Sequence, residues 1–381
     1  MHILSRKTKE YWIFAYIFAI VIFLMQHLYF GSLHYHECDS SGVYRALTEV
    51  TSKSERMQAF INRITPNVLT EIRYIVANLS EYINFSPLKT FFQLPYLYTY
   101  PPLLGMIYGF IPKGTYENFY YLASFLNGLA LVASSSFLYL TLKRLNLSGG
   151  ICFISSTLLL TLYGTNSYSY HLGSTIWYVL SISIAIFMLT VKNDFVQDVV
   201  SGLIILLSYP YILWLVNILI IKIFIKMSEE TLNNKFFFES ILRIFRTRYV
   251  TFFCLIFDLV LFYPFASGYR GGPDIRGIFS IFSFYPQYKS LDFITILFSL
   301  IVYSTCLIAI LETFKYFRSL IILNLNQYHK EKNISSSKMF HEVVLTCTTF
   351  IFFFMVMVLV KKLTLTTTRH ALFNLPVLIF I

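Results

Sequence analysis

The chain has 381 residues, of which 56% are hydrophobic and only 13% are charged, and its mean hydropathy is +0.64. This composition is typical of a protein surrounded mostly by lipid and argues against a water-soluble domain of this size. The formal net charge is +11, but the Lys and Arg residues cluster between apolar runs, where they set membrane orientation. We therefore expect no nucleic-acid partner.

The first element is an apolar run of 20 residues, Tyr11–Phe30, long enough to cross a hydrocarbon core of about 30 Å. A basic flank of Arg6, Lys7 and Lys9 precedes it, and no small-residue cleavage site follows it. The sequence therefore predicts that residues 1–30 form a cytoplasmic N-terminus and a retained membrane anchor.

Residues 31–116 are more polar and predict a large external loop. It opens with His34, His36, Glu37 and Asp39. Two sets of apolar residues then recur at steps of three, four or seven, which predicts two amphipathic helices lying along the membrane surface with their apolar sides among the headgroups. The sets are Val43, Leu47, Val50, Met57, Ile61 and Ile64, and then Leu69, Ile72, Val76, Leu79 and Ile83.

The segment TYPPLLGMIYGFIP, residues 99–112, has about 14 residues and three prolines. It is too short to cross the membrane and predicts a re-entrant or interfacial helix at the end of the external loop.

Residues 117–381 predict a multi-span bundle, which gives an all-α polytopic protein of nine or ten spans. The basic segments 143–144, 222–248 and 315–338 then face the cytoplasm, and only Lys361 and Lys362 violate this pattern. The last apolar run, residues 371–381, is half a span long, so the chain is either truncated or ends in a half-span. The predicted spans are 117–142, 151–165, 173–191, a hairpin over 195–225 broken at Tyr209-Pro210-Tyr211, 249–266, 293–311 and 343–360.

Two features lie within the predicted spans. Asp258 is an ionisable residue inside an apolar run, which is by default a functional hypothesis. Because no basic residue stands at a matching depth, we favour a neutral acid bonded to another helix. The small-residue stretch VASSSF, residues 132–137, predicts close helix packing.

Three segments fall on one side of the predicted membrane: the acidic start of the first loop, the Tyr-Pro-Pro-Leu segment, and TRHALFNLP at 368–376. This combination resembles the glycosyltransferase C superfamily, from about residue 11 to the end. Members of that family carry a catalytic acid early in a large first external loop, followed by interfacial helices and a Pro-Pro-Leu segment. The segment LKRLNLSGG, residues 142–150, and the hairpin around Tyr209 agree more weakly.

The resemblance implies that Asp39, in HECDSSGVYRAL, is the general base, with Glu37 as the alternative. Sugar transfer from a polyprenyl phosphate to a hydroxyl needs a carboxylate that takes the acceptor proton. The competing interpretation is that both acids are ordinary solvated loop residues.

The same chemistry needs cations that stabilise the departing phosphate. Arg369 is the leading candidate because a guanidinium binds phosphate in bidentate fashion, and His370 could assist it. Arg270 and Arg276, in RGGPDIRG, are weaker candidates. The alternatives are a lipid-headgroup contact for Arg369 and solvated loop charges for the other two arginines.

Three further residues are candidates for substrate contact. His171, in YGTNSYSYHLGS, stands where some family members have a second acid, and Tyr209 stands where some relatives have a phosphate-contacting lysine. Tyr100 belongs to the Tyr-Pro-Pro-Leu segment. No cysteine, acidic or histidine spacing indicates a metal site, although family members differ in metal dependence, which leaves a divalent cation open.

Together these features predict a membrane glycosyltransferase that moves a sugar from a polyprenyl-phosphate donor to a lipid, glycan or protein acceptor at the external face. We expect a bacterial inner membrane, because the chain has no retention signal for the endoplasmic reticulum. The alternatives are a transporter or lipid flippase and a non-catalytic envelope-assembly subunit. A transporter would bring charged or broken helices together at mid-membrane.

Overall fold

The computed structural model describes residues 2–31, 43–45, 47–48, 53–98, 100–229, 246–263, 293–322, 335–359 and 374–381. Within these ranges the regular structure is helical and includes no strand, as predicted for an all-α chain. The helices are α1 His2–Gly31, α2 Lys53–Ile64, α3 Asn67–Glu81, α4 Ser86–Tyr98, α5 Pro102–Gly109, α6 Tyr116–Arg144, α7 Gly149–Thr161, α8 Tyr163–Ser169, α9 Thr175–Met188, α10 Asp194–Leu207, α11 Tyr211–Glu229, α12 Tyr249–Leu261, α13 Phe293–Ile322, α14 Ser335–Leu359 and α15 Leu375–Phe380.

Among the described residues, two helices are long and apolar enough to cross a membrane: α6, and α1 over Tyr11–Phe30. Six shorter apolar segments lie in α7, α9, α11, α12, α13 and α14. The predicted break of the hairpin is confirmed, because α10 ends at Leu207 and α11 begins at Tyr211. The number of spans stays a prediction, since length and composition identify only the two long helices.

Helix α1 packs lengthwise against α6 and α7. Near its start, a Cβ added to Gly149 would lie 2.6 Å from Trp12 Cδ1, and near its end a Cβ added to Gly128 would lie 2.6 Å from His27 Cδ2. Only glycine allows such close approach at these two positions. The opposite side of α1 exposes large apolar residues, including Tyr11, Phe14, Phe18, Met25 and Tyr29.

A line of serines joins α6 to its neighbours. Ser134 Oγ lies 2.6 Å from Ser183 Oγ of α9. Ser135 Oγ lies 2.8 Å from the Tyr16 hydroxyl of α1 and donates to Ser156 O of α7 at 2.8 Å. These contacts confirm the close packing predicted from VASSSF, because small hydroxyl side chains let three helices approach α6.

Helices α4 and α5 form a tight pair that contacts α2, α3 and α10. Gly105 and Gly109, four residues apart in GMIYG, share one face of α5. A Cβ on Gly105 would collide with Thr90 O, and one on Gly109 would lie 2.5 Å from Pro87 Cα. The Tyr-Pro-Pro-Leu segment therefore forms a short helix seated on α4.

The two predicted amphipathic helices behave differently. In α2, Met57, Ile61 and Ile64 are buried inside the protein, in part against Tyr96 and Leu97 of α4. The prediction that this apolar side lies among lipid headgroups was therefore wrong, because α4 supplies a protein surface for it. In α3 the predicted stripe is exposed only in part: Ile72 and Leu79 are exposed, whereas Leu69, Val76 and Ile83 are half-buried.

Helix α15 is buried within the bundle. Leu375 and Val377 are fully buried, and the helix contacts α7, α9 and α14. The final apolar run thus contributes a short core helix.

Candidate functional site

Three of the nine predicted site residues are described by the structure: Tyr100, His171 and Tyr209. The other six lie outside the described residues, so their roles stay predictions. They are Glu37, Asp39, Arg270, Arg276, Arg369 and His370.

The three described residues come together although they are far apart in the chain. The Tyr209 hydroxyl donates to Tyr100 O at 3.0 Å, across 109 residues. The Tyr100 hydroxyl donates to Leu172 O, next to His171, at 3.2 Å across 72 residues. The hairpin turn, the Tyr-Pro-Pro-Leu segment and the loop after α8 therefore meet at one place, which we call the tyrosine junction.

Two buried residues hold the loop of the tyrosine junction. Asn127 of α6 donates from Nδ2 to His171 O at 2.7 Å, and Trp177 of α9 donates from Nε1 to Asn127 Oδ1 at 2.8 Å. Asn127 is fully buried. Neither residue is among the predicted site residues, although an amide in the middle of an apolar helix indicates a hydrogen bond to another segment.

The hydroxyl groups of the tyrosine junction donate to backbone carbonyls of the protein itself. Tyr100 and Tyr209 are 7% and 8% exposed, and both hydroxyls are used in the bonds that tie the loops together. His171 is half-buried, with its ring 5.0 Å from that of Tyr168. The residues predicted for substrate contact thus fix the shape of the junction, and direct contact by their side chains stays a prediction.

A second polar cluster centres on Arg73 of α3, which is fully buried. Its guanidinium donates to Val260 O at 2.9 Å, to Leu259 O and Tyr263 O at 3.0 Å each, and to Thr65 Oγ1 at 2.9 Å. These carbonyls lie at the C-terminal end of α12, where the helix dipole favours a cation. Arg73 therefore binds the first loop to α12.

Asp258 directly precedes Leu259 in the last turn of α12 and is also fully buried. Within the described part of the chain, neither of its carboxylate oxygens has a hydrogen-bond partner. Burial lowers the pKa of the Arg73 guanidinium, and the nearby Tyr96, Tyr209 and Asp258 oppose that effect. The expectation that no basic residue stands near Asp258 was wrong, because Arg73, 185 residues earlier in the chain, lies close enough to interact with it electrostatically, although no hydrogen bond joins them.

The Arg73 cluster and the tyrosine junction are adjacent. The rings of Tyr209 and Tyr263 are 5.9 Å apart, and Tyr263 O accepts from Arg73. One continuous polar region therefore connects α3, α12, the hairpin turn and the loop after α8. It lies toward the C-terminal end of α1, where His27 stacks on Tyr170 at 4.4 Å.

Basic residues occupy the opposite end of the bundle, near Trp12. Arg144 donates to Thr190 Oγ1 at 3.3 Å, and Arg248 pairs with Asp194 at 3.5 Å. Beside them, Asp198 accepts from the Thr251 backbone N at 2.9 Å at the start of α12. The bundle is thus polarised, with basic turns at one end and the tyrosine junction at the other.

Among the described residues, no three His, Cys, Asp or Glu side chains gather in a way that could hold a metal ion. No family model, curated protein or solved structure matches the chain. The resemblance to the glycosyltransferase C superfamily therefore rests on the sequence motifs given above.

Proposed function

We propose that the chain is a polytopic membrane glycosyltransferase that transfers a sugar from a polyprenyl-phosphate donor to a lipid, glycan or protein acceptor at the external face of a bacterial inner membrane. The observation that carries the proposal is the tyrosine junction. Tyr100, the loop at His171 and Tyr209 belong to segments with counterparts in the family, and hydrogen bonds join them at the end opposite the basic turns.

The proposed reaction is a displacement at the anomeric carbon of the donor. The acceptor oxygen forms the new glycosidic bond as the bond between that carbon and the phosphate oxygen breaks. Asp39, or Glu37 in its place, takes the acceptor proton. The phosphate leaves with the bonding electron pair as polyprenyl phosphate, and Arg369 stabilises its charge with help from His370, Arg270 and Arg276.

The junction has a supporting role in this proposal. Loops bearing reactive groups must be held within about 0.5 Å of the productive geometry, and buried hydrogen bonds from rigid helices do this best. Asn127 and Trp177 hold the loop after α8 through its backbone. Arg73 does the same for the segment after α12, which leads towards Arg270 and Arg276.

The test is to compare wild type, Asp39→Asn and Glu37→Gln for the glycan product at matched protein levels in membranes. Asparagine keeps the shape of the aspartate side chain and removes the base. We expect Asp39→Asn alone to lower the rate by about 10²–10⁴-fold. Equal activity in all three proteins would overturn the assignment of the base and the transferase with it.

A transporter or flippase is the second candidate, and the buried Asp258 with Arg73 favours it. Ionisable residues inside a bundle mark substrate or ion pathways in membrane transport proteins. In that case Asp258→Asn would abolish substrate movement in reconstituted vesicles while Asp39→Asn would leave it unchanged.

A further inference from the structure

Three lysines from separate segments lie near the start of α4. Lys53 begins α2, Lys89 lies in the first turn of α4, and Lys113 lies between α5 and α6. The Tyr44 hydroxyl donates to Gly114 O, next to Lys113, at 2.5 Å, and a Cβ on Gly109 would lie 2.5 Å from Pro87 Cα, two residues before Lys89. Backbone carbonyls fix two of the ammonium groups: Lys53 Nζ donates to Leu47 O, and Lys89 Nζ donates to Glu81 O, each at 3.0 Å. We call these three residues the lysine cluster.

The three charges act on one another. Burial lowers the pKa of Lys53 to about 8, and the charges of Lys113 and then Lys89 add to that effect, while Glu81 opposes it. Burial followed by the charge of Lys89 lowers the pKa of Lys113. The cluster therefore combines three mutually repelling cations with one nearby carboxylate. An anion placed among them would relieve this repulsion.

An apolar surface borders the lysine cluster. Phe85, Leu88 and Phe110 are exposed, and the rings of Phe85 and Phe110 are 6.1 Å apart. Leu88 directly precedes Lys89, and Phe110 stands three residues before Lys113. We call the two phenylalanine rings, together with the neighbouring Leu88, the aromatic patch.

The apolar surface continues along α3. Val68, Ile72, Ile75 and Leu79 follow one another at steps of four, three and four, so they form one stripe on the helix. They are between 44% and 86% exposed. A stripe of this kind suits the boundary between headgroups and acyl chains, with lysines reaching the phosphate level.

We propose that the lysine cluster and the aromatic patch together bind the phosphate group of a lipid, with the phosphate among the three ammonium groups and the first carbons of the lipid chain against Phe85 and Phe110. Each ammonium group offers three hydrogen-bond donors. The ammonium groups of Lys53 and Lys89 are already held in place, each by one bond to a backbone carbonyl. Free inorganic phosphate could bind to the three ammonium groups alone. The adjoining apolar surface is what favours a phosphate carried on a lipid.

This inference goes beyond the proposed reaction, because none of the three lysines is among the residues proposed to act as the base or to stabilise the departing phosphate. It holds for a transferase and for a transporter. Two sources carry the same chemistry: the headgroup of a membrane phospholipid and a polyprenyl monophosphate.

The test uses the full chain purified in a neutral detergent and titrated separately with phosphatidylglycerol, a polyprenyl monophosphate, phosphatidylcholine and inorganic phosphate, with bound lipid counted by native mass spectrometry. The test variant carries Lys53→Gln, Lys89→Gln and Lys113→Gln together. The matched control carries Lys143→Gln, Lys192→Gln and Lys315→Gln, which removes the same charge from exposed positions elsewhere. Thermal unfolding checks that each variant is folded.

We expect wild type to bind at least one of the two anionic lipids in preference to phosphatidylcholine and to inorganic phosphate. The test variant should bind that lipid about 100-fold more weakly, since each lysine near the headgroups contributes about one factor of five. The control should change binding less than twofold. Replacement of the three lysines by arginine should restore binding, because a guanidinium keeps the positive charge that attracts the phosphate.

The pattern of lipids identifies the source. Binding of the polyprenyl monophosphate alone assigns the cluster to a substrate, and binding of both anionic lipids assigns it to the membrane surface. Equal binding by the test variant and wild type would overturn the proposal, and so would equal affinity for inorganic phosphate. The measurement needs no glycosyl transfer, so its failure and that of the proposed function are distinguishable.

Discussion

The adjacent helices α2 and α3 are both amphipathic, yet α2 buries its apolar face and α3 buries a largely polar one. Helix α2 packs Met57, Ile61 and Ile64 inside the protein, whereas α3 buries Arg73, Ala77 and Ser80 and exposes its apolar stripe. An apolar stripe on a helix indicates a face that avoids water, but it does not say whether protein or lipid covers it. Here α4 covers the apolar side of α2, and the carbonyls at the end of α12 bind the polar side of α3.

The largest loss of stability should follow from a substitution on the polar side of α3. Arg73→Leu removes four hydrogen bonds and leaves three buried carbonyls and Asp258 without their cation. We expect a loss of about 3–5 kcal/mol in the free energy of unfolding, measured by thermal unfolding in detergent. The control Arg63→Leu, exposed on α2, should change it by less than about 0.5 kcal/mol. Equal effects would mean that α3 is not anchored through Arg73.

The apolar sides of the two helices give the next comparison. Ile61 of α2 is fully buried and Ile75 of α3 is 58% exposed. Ile61→Ala should cost about 2–5 kcal/mol of stability in detergent because it opens a cavity. Ile75→Ala should cost less than about 0.5 kcal/mol. A similar loss at both positions would show that protein covers the α3 stripe.

The smallest effect on stability should come from the contact of α5 with α4, the helix against which both α2 and α3 pack. Gly105→Ala would place a Cβ against Thr90 O and 3.0 Å from Leu94 Cβ, so α4 and α5 must separate. We expect a loss of about 1–3 kcal/mol in thermal unfolding. Gly114→Ala is the control, since no atom lies within 4 Å of the added Cβ. Tolerance of Gly105→Ala would show that α5 can shift on α4 without cost.

The parts of the fold that follow from local pattern could be predicted from the sequence. A proline at 210 after a long apolar run breaks the hairpin, and the apolar stretch from Glu117 onward gives α6. The serine packing around Ser134 and Ser135 was also predictable, because small residues in an apolar helix indicate close neighbours. These features depend on residues near one another in the chain.

The partners of Asp258 and Asn127 could not be predicted in the same way. Arg73 lies on the polar side of an amphipathic helix in the first loop, and nothing in its local pattern indicates that this side turns away from water toward α12. Asn127 donates to a backbone carbonyl 44 residues later. Because every residue has a backbone carbonyl, the sequence does not indicate which one accepts the bond. The lysine cluster was missed for a related reason, since its three members come from segments that only folding brings together.

The packing of His27 has a consequence for how the protein is made. Its ring donates to Ser124 O at 2.9 Å and lies 3.3 Å from Ser169 Oγ, groups that follow it by 97 and 142 residues. In the membrane protein that we propose, α1 enters the bilayer before those residues have been synthesised. At about 5–20 residues per second, the imidazole waits on the order of ten seconds for its partners. During that time an insertion factor or water at the membrane surface must satisfy its ring nitrogens.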